Sequence, residues 1–147
     1  MVRTVVKKVF SKYNSFTKRK PLLSISLSTG VILGLGDCLE QAIQGKPYSF
    51  KRTLSMSLYG AVIYGPFCSF WYNDWLPKLA PLTAMPAFKQ LGLKIFYDET
   101  LQSSFFYVSF LYSMTRLEGG SNSQAVEKVK KDFMRCYLAD LAVWPWI

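Results

Sequence analysis

Residues 52–74 read RTLSMSLYGAVIYGPFCSFWYND: an arginine, 21 uncharged residues, then an aspartate. At 1.5 Å per residue, a helix of that length covers roughly the 30 Å of a bilayer's hydrocarbon core. A helix of a soluble bundle would carry a polar face along its length, and this run has none. Tyr72 and Trp75 stand at its exit, where amphipathic rings prefer the membrane interface. The stretch predicts a transmembrane helix over about 52–76. The fold class it sets is all-α, a transmembrane helical bundle.

Working outward, residues 21–36 carry no charge. They predict a first span over about 21–44, with Asp37 and Glu40 close enough to its far end to reach the headgroups. On the other side, Pro77, Pro81 and Pro86 mark a turn. A third span is expected over about 88–116. Its half 100–115 is uncharged and rich in Phe and Tyr, whereas its first half holds Lys94, Asp98 and Glu99. A polar loop, Glu118 to Ser123, follows. The last segment, 123–147, places Val126, Val129, Phe133, Tyr137, Leu141 and Trp144 on one face but turns apolar only from Phe133. That is short for a span, and Asp140 and Pro145 interrupt it. The expectation is three full spans plus a partial fourth helix, in a single domain over 21–147.

Residues 1–20 form a separate unit. Val2, Val5, Val6, Val9, Tyr13 and Phe16 share one helical face, and Arg3, Lys7, Lys8 and Lys18 project from the other. This is a basic amphipathic helix suited to lie at an interface, and it also has the composition of a mitochondrial transit peptide. Because Lys18-Arg19-Lys20-Pro21 leads at once into the apolar run, retention as an interfacial helix is the reading adopted.

Composition agrees with a membrane setting. Only 18% of residues are charged, against about 25% in soluble domains. The net charge is +9, and because its densest basic block flanks an apolar run, the expected partner is anionic lipid rather than nucleic acid. There is no histidine, and Cys38, Cys68 and Cys136 are scattered without a CxxC. His-based nucleophile activation and His- or Cys-clustered metal sites are therefore excluded. No phosphate loop or catalytic acid pair is present. Neither an enzyme nor a cofactor is expected.

Two constellations remain. On the first span Ser26, Gly30, Gly34, Asp37 and Gln41 fall within an arc of about 80° at helical spacing. Ser26, Gly30 and Gly34 make a small-residue seam for close helix packing, and Asp37 at its end is expected to pair with Arg52. On the third span Lys94, Asp98, Gln102, Ser109 and Tyr112 also fall within about 80°. Such a stripe is costly against lipid, so it should face inward, either lining a solute path or forming an internal polar network. Lys94 and Asp98, four apart, can pair. Pro66, beside Gly60 and Gly65, should kink the second span and free the carbonyl of Val62.

Taken in order, Thr29-Gly30, Gly36-Asp37 and Gln41, then Arg52-Thr53, Gly60 and Gly65-Pro66 with Trp71-Tyr72, then Lys94 with Asp98, then Val143-Trp144-Pro145 resemble the successive blocks of the Mpv-seventeen and 22-kDa peroxisomal membrane protein family. The departures are Ser69 where the family usually has His, Glu99 where it has Gln, and Ser103-Ser104 where it has a Pro. Family members also continue beyond the Trp-Pro, whereas this chain ends at Ile147. The resemblance implies a four-helix protein of the mitochondrial inner membrane or, alternatively, the peroxisomal membrane, from a family of proposed weakly selective channels. The basic, acid-free N-terminus favours mitochondria. Two functions are carried forward. One is a channel for small solutes or ions. The other is a non-catalytic accessory subunit, associated with other membrane chains or with copies of itself, in a complex of respiratory or ATP synthase type.

Overall fold

A computed structural model describes residues 11, 13–45, 47–80 and 86–143. Every regular element among them is helical. Much of the expected N-terminal helix, and the Trp144-Pro145 end of the fourth, lie outside the described residues.

Helix α1 is Pro21–Gln44. Proline at its first position donates no hydrogen bond and needs none there. The helix stops at Gly45, whose φ of 63° takes the left-handed conformation that glycine adopts freely. Ahead of α1, residues 13–19 are helical, and they fold back on it. The Tyr13 hydroxyl lies 2.9 Å from Ser28 Oγ, and Thr17 Oγ1 lies 2.7 Å from Ser24 Oγ.

Helix α2 covers residues 50–79. Ser49 caps it, its hydroxyl accepting from Arg52 N. Helical backbone continues from Phe50–Tyr59 through the π-helical turn Gly60–Tyr64, the α-helical Gly65–Phe70, a second π-turn Trp71–Trp75, and Leu76–Leu79. Helix α3 covers 87–117 in the same manner, as Ala87–Tyr97, the π-turn Asp98–Gln102 and Ser103–Leu117. Helix α4 is Asn122–Val143. The α3–α4 turn uses Gly119 at φ 102°. It closes on a reciprocal cap: Ser121 N donates to Gln124 Oε1 at 2.7 Å and Gln124 N donates to Ser121 Oγ at 3.2 Å.

The kink expected at Pro66 is met by a change of pitch. In the π-turn the ring is one residue wider, and Gly65 N donates to Gly60 O. A proline that cannot donate is absorbed by the widened turn directly before it. Helix α1 is long and apolar enough to cross a bilayer as one uninterrupted α-helix, whereas α2 and α3 reach span length only as rods that include these wide turns.

Helix α1 packs along α2, α2 against α3, and α3 against α4. Helix α1 is arranged inside out relative to a helix of a water-soluble bundle. The buried residues of α1 are Ser24, Ser26, Gly30, Gly34, Asp37 and Gln41, while Val31, Ile32, Leu35 and Leu39 are each about 60% exposed or more. Without lipid such an apolar outer surface would be an aggregation site. In a bilayer it is the face that meets the acyl chains.

Candidate functional site

The α1–α2 contact is built on missing side chains. A Cβ at Gly30 would come within 2.9 Å of Ala61 Cβ and of Ser57 O, one at Gly60 within 2.9 Å of Thr29 O, and one at Gly65 within 2.6 Å of Ser26 Cα. At Gly34 it would collide with Ser57 Oγ. Ser26, Gly30 and Gly34 thus lie in one seam with Ser57, Gly60, Ala61 and Gly65. Close backbone approach of this kind replaces the hydrophobic driving force that lipid removes.

At the end of the seam the chain turns around a polar knot. Asp37, 2% exposed, has its Oδ1 2.9 Å from Arg52 Nε. Its Oδ2 accepts from Gln41 Nε2 and from Thr53 Oγ1, both at 2.6 Å. Gln41 Oε1 accepts from Ser49 N at 2.6 Å, which ties α1 to the cap of α2. Arg52 also reaches Glu40, Nη2 to Oε2 at 2.5 Å. A buried carboxylate is tolerable only when its charge is compensated: an amide and a hydroxyl satisfy Oδ2, while Oδ1, without a hydrogen bond of its own, has the Arg52 guanidinium beside it as counter-charge.

Between α2 and α3 the spacing is wider and aromatic. Phe67 stacks on Phe105 with ring centroids 3.8 Å apart, and Tyr64 and Phe106 are 4.7 Å apart. Within this layer the stripe on α3 meets α2 rung by rung. Trp71 Nε1 donates to Asp98 Oδ1 at 2.6 Å, Gln102 Nε2 donates to the Tyr64 hydroxyl at 2.5 Å, and the Tyr59 hydroxyl lies 2.8 Å from Ser109 Oγ. Trp71 and Tyr59 are almost wholly buried. Four of the six side chains sit at the edges of the wide turns: Tyr64 ends one, Trp71 begins the next, and Asp98 and Gln102 bound the third. Wide turns re-aim side chains and frequently mark functional positions.

Two expectations about this stripe are corrected. Lys94 and Asp98 form no ion pair within 4.0 Å; the partner of Asp98 Oδ1 is the Trp71 indole of the facing helix. Tyr112 does not join the stripe: it is exposed and donates to Asn122 Oδ1 at 2.6 Å, in the turn to α4. A projection at constant helical pitch fails beyond a π-turn, and Tyr112 lies farthest past it. The polar residues are also not one group. Asp37, Gln41 and Arg52 gather at the α1–α2 turn, while Asp98, Gln102 and Ser109 gather between α2 and α3.

Several partners were not singled out from sequence. Tyr59 and Tyr64 are five apart, which separates them on an α-helix but aligns them across a π-turn. A proline following each wide turn of α2, Pro66 and Pro77, is the signal that could have revealed it. Tyr107 and Asp140, joined at 2.9 Å, and Glu99 were likewise missed as a group. Among the described residues there is no cluster of three or more His, Cys, Asp or Glu able to hold a metal.

Comparison with other proteins gives consistent likenesses over nearly the whole chain. PXMP2/4 family protein 4 of Dictyostelium discoideum is 31% identical over 142 residues, covering 93% of this chain and 75% of its own. Protein sym1 of Aspergillus oryzae is 29% identical over 143 residues, covering 95% and 79%. Mitochondrial inner membrane protein Mpv17 of Caenorhabditis briggsae is 28% identical over 134 residues, covering 90% and 72%. No protein-family model matches the chain, and no solved structure matches it.

Proposed function

The chain belongs to the Mpv17/PXMP2 family of membrane proteins, and on that premise we propose that it works in the mitochondrial inner membrane as a weakly selective channel whose closed state is the α2–α3 ladder. The localisation rests on relatives such as the mitochondrial inner membrane protein Mpv17 of Caenorhabditis briggsae. The gating reading is carried by one observation: two of the three hydrogen-bonded rungs, Trp71–Asp98 and Tyr64–Gln102, stand on π-turns, and α2 also holds Gly60, Gly65 and Pro66. Wide turns and prolines let a helix change local pitch at low cost. A small unwinding there would separate Trp71 from Asp98 and Tyr64 from Gln102 and leave a polar stripe facing a gap. No acid–base or nucleophilic chemistry is assigned to the chain, and it needs no cofactor.

Planar-bilayer recording on the reconstituted full chain tests this. Low open probability is expected for the native protein, with a several-fold rise in Tyr64→Phe/Trp71→Phe, which removes one partner from each of two rungs. Absence of conductance in both proteins would sink the channel reading.

A specific feature favours the second reading, a non-catalytic accessory subunit. Asp98, Gln102 and Ser109 each have an interhelical partner, as they would in a bundle that never opens. Native gels of gently extracted membranes separate the two: migration within a large assembly supports the subunit, and a free small oligomer counts against it.

A further inference from the structure

Opposite the ladder, α3 turns two carboxyl groups and a phenol toward α4. Asp140, 8% exposed, accepts from the Tyr107 hydroxyl at 2.9 Å through Oδ1. The carboxyl of Glu99 lies within hydrogen-bond reach of the same Asp140 side chain. Asp140 Oδ2 and Glu99 Oε2 are both buried, and neither has a hydrogen-bond partner among the described residues. Two acceptor-only groups thus face each other, each with a buried oxygen that no described residue satisfies.

Among the described residues, the charged groups that bear on Glu99 are both carboxyls and supply no compensating charge. Asp98 is adjacent to Glu99, Tyr107 comes from the same helix, Cys136 from α4 and Tyr72 from α2. Lys94 acts on Asp98. Two like charges at such separation cannot both persist away from water. What the arrangement lacks is one donor. A divalent cation would want about six oxygens, and two carboxyls with a phenol already hydrogen-bonded to one of them offer too few. A single proton completes the geometry: one carboxyl becomes an O–H donor to the other, and the orphaned oxygens become partners.

We propose that Glu99 and Asp140 form a proton-binding site in which the two carboxyl groups share one proton taken from solvent, and that this proton clasps α4 to α3. The clasp stands apart from the conducting reading and holds whether or not the chain is a channel. The sign of its linkage follows from the bound state. The folded protein holds a proton that the separated carboxylates would release, so the stabilisation is present at low pH and is lost as pH rises through the pair's dissociation.

Infrared spectra of the full chain in lipid nanodiscs read the proton directly, through the carbonyl band of a protonated carboxylic acid. The expected result is such a band at neutral pH that fades on alkalinisation. It should be lost in Glu99→Gln and in Asp140→Asn, where an amide N–H replaces the shared proton, and retained in Asp98→Asn. Thermal stability of the native protein should fall as pH rises, with that slope flattened in the two isosteric variants. A native protein without the band at neutral pH overturns the proposal, as does a band that survives both variants. Should the variants not fold, the native spectrum and that of Asp98→Asn still decide. A missing band together with stabilisation by Na⁺, K⁺ or Ca²⁺ over choline would overturn the proton in favour of a bound cation.

Discussion

Glycine acts in this protein through what it leaves empty, and the two kinds of helical glycine can be told apart by substitution. Gly65 has backbone of the facing helix where its Cβ would go, 2.6 Å from Ser26 Cα. Gly65→Ala should force α1 and α2 apart and cost about 1–3 kcal/mol. Gly36 lies in α1 with nothing within 4 Å of an added Cβ. Gly36→Ala should be neutral, or stabilise by up to about 1 kcal/mol through helix propensity. Thermal unfolding in matched detergent measures both, and equal responses would contradict the packing argument. Asp37 offers a polar counterpart. Removing it in Asp37→Ala leaves Arg52, Gln41 and Thr53 without their common acceptor, and about 3–5 kcal/mol should be lost, as for other broken buried pairs. The seam and the Asp37–Arg52 pairing were legible in the sequence because α1 is regular, so its faces follow the constant helical step.

At the scale of the element, wide turns decide what the sequence concealed. In α2 each π-turn is followed at the same offset by a proline: Gly60–Tyr64 by Pro66, and Trp71–Trp75 by Pro77. The turn Asp98–Gln102 in α3 has Ser104 at that offset. If the wide turn is the accommodation for a missing donor, its geometry in α3 is already prepared for one. Ser104→Pro should change stability by less than about 1 kcal/mol, whereas Val108→Pro, inside the regular helix Ser103–Leu117, should cost about 3 kcal/mol or more. Comparable losses at both positions would refute that link. The same turns explain where sequence reading stopped. The α3 stripe was visible through Asp98, Gln102 and Ser109, but Tyr112, farthest past the π-turn, was assigned to it by a constant step that the π-turn breaks. The partner Tyr59 was hidden because its spacing from Tyr64 and Trp71 aligns it with them only once the wide turn Gly60–Tyr64 is inserted. The Glu99–Asp140 contact joins different helices, and helical spacing carries no information about which helices meet.

Across the whole molecule the informative quantity is which side of each helix carries the apolar groups. All-helical architecture could be read from long uncharged runs, and in α1 the small and polar residues at helical spacing named the inward face. The structure has serine, glycine, aspartate and glutamine buried in α1 and its exposed leucines, valine and isoleucine facing out. A charge introduced on that outer surface should oppose membrane insertion. Val31, 59% exposed, is such a site, and Val31→Lys near mid-span should shift the insertion equilibrium by roughly 3 kcal/mol. A glycosylation-reporter assay of translocation measures it, and unaltered insertion would place that face elsewhere than in lipid.

The buried small-residue seam also has a consequence for how freely the chain can vary. In a water-soluble bundle the exposed positions accept almost any polar residue and the large apolar ones are fixed. Here the permissive and restrictive positions exchange places. Leu35, Leu39 and Ile32 are each 60% exposed or more, so any apolar residue should serve there. Ser26, Gly30 and Gly65 should accept almost nothing larger than themselves. A saturation map of α1 would look like the photographic negative of one made on a helix of a cytosolic bundle, with the smallest residues the least replaceable.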